Sequence, residues 1–331
     1  MIVDDGSSDG MAAVAERLKE DGLVDVVLST RIRGGKSAAA NLGFGYCTGD
    51  IVMIADADTT YDRNAFEELL WPFADPAMGA VSGNLGVRNM TASVLTRWQA
   101  VQYLVSISLG RRVSDMFGIL FIVSGAFGAF RRTAIESVGG WDVGPGEDAD
   151  LTIKMRRAGW RVRFAPEAWS LTDVPETTRV LVNQRMRWNR SLVRIRMRKF
   201  GGIFDPTQAA FSLRDALGTA DILFFQAGLA LSFLVYLVWL FATYGSFAWV
   251  LIGAVSVVYM TMGTLAFMAA AAVSGWYGKL ALLPYAVTYG LFNAYFLRFV
   301  RLAAYVDELI WRKSYRDDYV PLRVRERTDR F

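Results

Sequence analysis

Carboxylates recur in this sequence at the ends of short apolar runs, where a strand hands over to a loop. Ile2 and Val3 lead into Asp4-Asp5-Gly6-Ser7-Ser8-Asp9-Gly10, and Ile51-Val52-Met53-Ile54 leads, after Ala55, into Asp56-Ala57-Asp58. An acid at the carboxyl end of a strand can accept hydrogen bonds from ribose hydroxyls or a base. An Asp/Gly/Ser run equally makes a turn that caps the next helix, and DDGSSDG alone does not separate the two readings. The carboxylates of Asp56 and Asp58, at i and i+2 on a strand end, can share a direction. Hard oxygens of this kind suit Mg2+ or Mn2+ bridging to a diphosphate. Gly146-Glu147-Asp148-Ala149-Asp150 opens a helix, where acids are favoured by the dipole. One of these acids could also be a general base. The chain has no histidine, so proton transfer falls to carboxylates, lysines or tyrosines.

Lys36 is the cation best placed to meet a phosphate. Gly34-Gly35-Lys36-Ser37 suggests a P-loop, but that pattern requires glycine at position 30, which is Thr30. Gly43-Phe44-Gly45-Tyr46-Cys47-Thr48-Gly49 misses the dinucleotide fingerprint by one residue and closes a helix instead of opening one. What remains is a lysine at a glycine-flanked helix start, where a point charge and free amides favour a phosphate. The single cysteine, Cys47, excludes an intramolecular disulfide and a cysteine-rich zinc site.

Strand-like runs at 24–28, 51–54, 79–83, 121–123 and 162–164 alternate with helical patterns at 11–20, 36–46, 64–73 and 148–159. That alternation predicts an α/β fold with a mostly parallel sheet covered on both faces. The 331 residues are 53% hydrophobic and 13% aromatic, which is rich for a soluble chain. A net charge of +4 selects none of nucleic acid, anionic lipid or phosphorylated substrate. The N-terminus lacks the basic and apolar regions of a signal peptide.

Residues 177–200 read as a helix in which Arg185, Arg187, Arg190, Arg194, Arg196, Arg198 and Lys199 alternate with apolar side chains and no acid. This predicts an amphipathic helix in the headgroup region of an anionic leaflet. Apolar segments at 216–243, 247–273 and 280–300 are each long enough to cross a bilayer. Three crossings place the basic tail 301–331 on the far side from the catalytic domain, against the positive-inside rule.

Gln184-Arg185-Met186-Arg187-Trp188 completes a series. DDGSSDG, GKSAAAN, DAD, GED and QRMRW, in this order and followed by apolar spans, resemble the processive inverting glycosyltransferases of family 2, the hyaluronan, chitin, cellulose and poly-N-acetylglucosamine synthases. The resemblance covers residues 2 to about 200 and implies a Rossmann-like GT-A domain over 1–176. It also implies a role for each matching position. Asp5 would hold the nucleoside, Lys36 the diphosphate, and Asp56 with Asp58 the donor and its Mg2+ or Mn2+, Asp58 being the direct ligand. Asp148 matches the catalytic base. Gln184, Arg187 and Trp188 match the motif of processive members, with Arg187 on the leaving diphosphate and Trp188 against the acceptor sugar. Ser124 and Gly125 match an acceptor-site stretch. Implied partners are a UDP-sugar donor, a polysaccharide or lipid-linked acceptor and a lipid bilayer, with no nucleic acid. The implied location is a multi-pass protein of the plasma membrane with its catalytic domain in the cytoplasm.

Relatives open with an apolar strand and membrane spans that are not seen here, so the chain reads as starting inside the second strand. Gly146 stands where many relatives have threonine. A single-addition transferase acting on a lipid-linked acceptor, and an inactive truncated membrane remnant, are the alternative readings.

Overall fold

A computed structural model describes residues 1–142, 144, 146–276 and 278–316. The elements in order are β1 (Ile2–Asp4), α1 (Met11–Glu20), β2 (Val27–Ser29), α2 (Lys36–Tyr46), β3 (Ile51–Ala55), β4 (Thr60–Tyr61), α3 (Ala65–Leu70), β5 (Met78–Val87), α4 (Val94–Tyr103), α5 (Gly110–Met116), β6 (Phe127–Arg131), α6 (Arg132–Ser137), α7 (Glu147–Arg157), β7 (Arg161–Thr172) and α8 (Thr178–Leu192). The helices α9 (Leu213–Ile222), α10 (Leu229–Tyr244), α11 (Ala248–Val273) and α12 (Leu283–Leu291) follow. The last long helix is α13 (Arg298–Trp311), so the first part of the expected basic tail is helical, while residues 317–331 lie outside the described residues.

The α/β architecture expected from the sequence is present, but its sheet is mixed where the sequence pattern predicts a mostly parallel one. β3, β6, β5, β7 and β4 lie side by side in that order, and only the β5–β7 pairing is parallel. β1 and β2 form a separate parallel pair. The mixed character comes from strands that periodicity did not reveal. β6 contains glycine and arginine, and β4 is two residues long. The expected strand at 121–123 joins no sheet among the described residues, and side chains accept from the amides at its end. Val123 donates its amide to Thr152 Oγ1 at 2.9 Å and Ser124 donates to Ser82 Oγ at 3.1 Å. β5 is buried along all ten residues, so its run Met78–Val87 reads as the spine of the domain.

Ser93 and Thr96 form a reciprocal capping box that starts α4. α4 continues through a π-helical turn at Leu104–Leu109 into α5. This helix, unread from the sequence, buries Ala100, Val101, Tyr103 and Leu104 against Phe267, Ala270, Leu282, Ala286 and Tyr289 of the apolar helices. The domain core and the apolar helices thus share one hydrophobic cluster.

Two helical runs, Leu213–Val273 and Lys279–Trp311, are long and apolar enough to cross a membrane. The first is folded back on itself. The rings of Phe241 and Trp249 lie 5.1 Å apart, whereas eight residues of straight helix separate side chains by about 12 Å. The reversal falls at Gly245, whose φ of 52° with ψ of −129° is a combination readily reached only by glycine. α11 and α12 then approach to backbone contact: a Cβ on Gly290 would collide with the Tyr259 carbonyl oxygen. Small residues allow such close packing between apolar helices.

The second run holds to the α/β domain near its start and to the basic helix near its end. Near its start, Trp276 meets Trp169 of β7, Arg97 donates to the Tyr285 hydroxyl at 2.9 Å, and Trp98 stacks on Phe292 at 4.9 Å. Near its end, Arg190 pairs with Asp307 at 2.7 Å and Arg198 with the buried Glu308 at 2.5 Å. The basic helix therefore directs several of its cations into the protein. Lys199 pairs with Asp150 at 2.6 Å, and the buried Arg196 stacks over Phe121 at 4.4 Å.

Candidate active site

The antiparallel register of β3 on β6 sets Ala55 opposite Phe127, and the Asp56 amide donates to the Ala126 carbonyl at 3.2 Å. The first acid of DAD is thereby fixed beside the turn 124–126. On the other side stands Lys36, the first residue of α2. Its position depends on Asp5, whose two carboxylate oxygens accept from the Gly34 and Gly35 amides at 2.8 and 2.6 Å. Gly35 takes φ of 85°, so the turn delivers the helix start at the correct angle. Lys36 Nζ then donates to Asp56 Oδ1 at 2.5 Å and to the Gly125 carbonyl at 3.1 Å.

Gly125 is the point where the motifs meet. A Cβ added there would lie 3.0 Å from Lys36 Nζ and 3.9 Å from the Cβ of Asp148. Three residues separated by up to 112 positions in sequence, Lys36, Asp56 and Asp148, therefore surround one glycine. Asp148 sits in the first turn of α7, half-buried, with Oδ1 accepting from the Ala149 amide at 2.7 Å. Burial pushes its carboxyl above the usual carboxylate range, opposed by the Ala149 amide and by the charges of Lys36 and Arg111. Glu147 is pushed up to about 7, first by burial and next by the charge of Asp148. The two adjacent acids do not ionise independently.

Asp5 lies one hydrogen-bonded step behind this cluster and acts on it through Lys36. Asp58 is exposed at the turn after β3, and its Oδ1 accepts from Thr59 Oγ1 at 3.3 Å. Tyr61 follows, with its hydroxyl pushed up to about 12 by burial and then by Asp56 and Asp58. Ser124 is buried, and its Oγ accepts from the Ala126 amide at 3.3 Å, so it shapes the turn that presents Gly125.

Gln184, Arg187 and Trp188 lie on α8. Trp188 is exposed, and Arg185 stacks on its ring at 4.3 Å while donating to Gln102 Oε1 at 2.9 Å. Arg187 is half-buried, and the side-chain oxygen of Gln184 is buried without a hydrogen-bond partner among the described residues. The link from α8 to the site runs through Gly146. This glycine has φ of 88°, and a Cβ there would stand 2.5 Å from Ile195 Cδ1 and 2.8 Å from Ser191 Cβ. Ser191 in turn donates to the Trp188 carbonyl at 2.8 Å. The close contact explains glycine at 146, immediately before the Glu147-Asp148 pair.

Arg111 and Ser82 were not anticipated. Arg111 donates to Ser82 Oγ at 2.9 Å and to the Gly83 carbonyl at 3.3 Å, and Ser82 Oγ also accepts from the Ser124 amide. Burial pulls the guanidinium down to about 10, against the charge of Asp148. Neither residue sits in a motif; only the three-dimensional meeting of α5 with β5 reveals them.

The family model for glycosyl transferase family group 2 matches residues 51–296. The chain belongs to that family. Among its relatives, the poly-beta-1,6-N-acetyl-D-glucosamine synthase of Staphylococcus aureus (strain COL) is 33% identical over 202 residues, 60% of this chain and 48% of that protein. The enzyme of the same name from Staphylococcus epidermidis is 31% identical over an equal stretch. The match thus spans about half the length of these relatives. A solved mannosyltransferase from Pyrobaculum calidifontis, in complex with GDP-Man and Mn2+, superposes with a TM-score of 0.59. It covers 93% of this chain and 76% of its own, at 22% identity, and so supports the GT-A fold.

The role of Asp5 as a pin gives a direct test. Asp5→Ala leaves two half-buried amides without their acceptor and is expected to cost about 1–3 kcal/mol of stability. Asp5→Asn retains one acceptor oxygen and should recover part of that loss. Denaturant titration of the two variants checks this; equal stability of Asp5→Ala and wild type would remove the pin from the account.

Proposed function

We propose that this chain transfers N-acetylglucosamine from a UDP-sugar to a growing polysaccharide with inversion, at the cytoplasmic surface of a membrane. The observation that carries the reading is the convergence of Lys36, Asp56 and Asp148 on Gly125. A phosphate-binding cation, a donor-side acid and a half-buried acid at a helix start are what nucleotide-sugar transfer requires. The polymer-forming relatives favour N-acetylglucosamine and a polysaccharide acceptor.

In this mechanism Asp148 accepts the proton of the acceptor hydroxyl as that oxygen attacks the anomeric carbon opposite the diphosphate. Inversion of an α-linked donor then gives a β-linkage. Lys36, already beside Asp56, neutralises charge on the departing diphosphate, and Arg187 assists from α8. Trp188 offers an exposed ring for the acceptor sugar, which supports processive addition. The residues also suit a divalent cation. Asp58 is exposed and Asp56 adds a second hard oxygen, while among the described residues no set of three ligating side chains is gathered. Two carboxylates suit Mg2+ or Mn2+, which takes its remaining ligands from phosphate and water. When bound, such an ion would offset the charge of the diphosphate.

The membrane arrangement we propose has two crossings. The hairpin α10–α11 enters the bilayer, and the run Lys279–Trp311 lies along the catalytic domain at the interface. A run of 33 residues extends about 50 Å as a helix. Docking of its start on the α/β domain and of its end on the basic helix opposes its crossing away from the active-site face. In this arrangement Arg312 and Lys313 lie on the same side as the active site, in accord with the positive-inside rule.

Three outcomes test these readings. Asp148→Asn should lower transfer by about a hundredfold or more while nucleotide binding stays near wild type; full transfer by this variant would remove Asp148 as the base. Because the base must be ionised, activity should fall on the acid side at a pH above the usual carboxylate range. Lys36→Met removes a cation that favours the ionised acids, so the residual activity should show this limb at higher pH; a limb that moves to lower pH contradicts the assignment. In a Cys47→Ser background, Ser246→Cys should react with an impermeant thiol reagent from the side opposite the catalytic domain, and Arg312→Cys from the same side. Labelling of both from one side would refute the two-crossing arrangement.

A further inference from the structure

A cavity of about 290 Å³ lies among the apolar helices, away from the catalytic cluster. It is bounded by Phe233 and Tyr236 of α10, by Tyr259 of α11, by Tyr295, and by Arg298 at the start of α13. The guanidinium of Arg298 stands 4.7 Å from the centre of the Phe233 ring and 5.6 Å from that of Tyr259. It donates to the Tyr259 hydroxyl at 3.3 Å, which uses one of its five N–H groups. Arg301 lies one turn along the same helix and adds a second cation. Neither forms an ion pair among the described residues, and the sequence contains no Asp or Glu from 222 to 306.

An arginine in so apolar a region is costly unless an anion meets it. Here the ring faces hold the guanidinium plane, while most of its donors are left for another molecule. The cavity is near the lower end of the size of small-molecule sites, enough for a compact polar head but not for an acyl chain. Beside it Val235, Val238, Val257 and Val258 are exposed, so its surroundings suit acyl chains. A planar guanidinium pairs two oxygens of a phosphate at once.

We propose that this cavity binds the phosphate of an anionic phospholipid, with Arg298 as its principal ligand and Arg301 adding charge. The site rests on the membrane reading given above, and it is separate from the donor site. A lipid bound there would join α10, α11 and α13 at the point where α13 turns towards α8.

The test uses the full chain in nanodiscs of phosphatidylcholine alone, of phosphatidylcholine with phosphatidylglycerol, and of the latter with added inorganic phosphate. Native mass spectrometry after detergent release reads bound lipid. Wild type should retain one phosphatidylglycerol per chain, undiminished by inorganic phosphate. Arg298→Gln should lower that occupancy about tenfold or more, the usual scale for a charge-assisted hydrogen bond. Ser232→Phe, which fills the cavity and leaves Arg298 in place, should also lower it, and it decides the matter if Arg298→Gln fails to fold. Equal retention by folded Arg298→Gln, or displacement by inorganic phosphate, overturns the proposal. Insertion into every disc with no preference for phosphatidylglycerol also overturns it but leaves the membrane reading intact. Failure to insert into any disc overturns both.

Discussion

The ammonium of Lys36, held between the Asp56 carboxylate and the Gly125 carbonyl, is the contact on which the site depends. Asp56, Glu147 and Asp148 share a small space, and burial already disfavours charge on the latter two. Without a cation beside them, desolvation and mutual repulsion would drive Glu147 and Asp148 further towards the protonated form. Lys36 and Arg111 oppose that tendency from two sides. The requirement reaches back through the domain. Asp5 fixes the turn that starts α2, and Ser82 links Arg111 to the turn carrying Gly125. The same contact explains why Gly125 lacks a side chain, since a Cβ would press against Lys36 Nζ.

The basic helix extends this electrostatic frame to the membrane region. Its cations do not simply form a solvated face. Lys199 reaches Asp150, two residues beyond the proposed base, while its neighbour Arg198 reaches Glu308 on α13. Adjacent residues of one helix therefore tie the acidic end of α7 to the apolar helices. Gly146 seats Ser191 and Ile195 in the same region. Movement of α8 relative to the domain would disturb both Trp188, the proposed acceptor platform, and the start of α7.

Much of this site was legible as residue types at strand ends and helix starts. Asp56, Lys36 and Asp148 each lie where a local rule places a ligand-facing group, and the order of five motifs indicated the family. The resemblance could not show that Asp5 acts through the Gly34 and Gly35 amides, because a hydrogen bond over 29 residues leaves no periodic trace. β6 escaped notice since Phe127-Gly128-Ala129-Phe130-Arg131 is short and interrupted by glycine, and its insertion makes the sheet mixed. The stretch 121–123 has strand composition, yet Thr152 and Ser82 satisfy the amides that a neighbouring strand would have taken. Arg111 belongs to a helix whose apolar face is covered by distant segments, so neither its position nor its partner follows from nearby sequence.

Sugar transfer itself gives the most direct test of the central claim. Membranes containing the full chain, supplied separately with radiolabelled UDP-N-acetylglucosamine, UDP-glucose and UDP-glucuronate, should incorporate label from the first into a polymer. Nuclear magnetic resonance of that product should show β-linked N-acetylglucosamine. Incorporation of a different sugar, or α-linked product, would contradict the account.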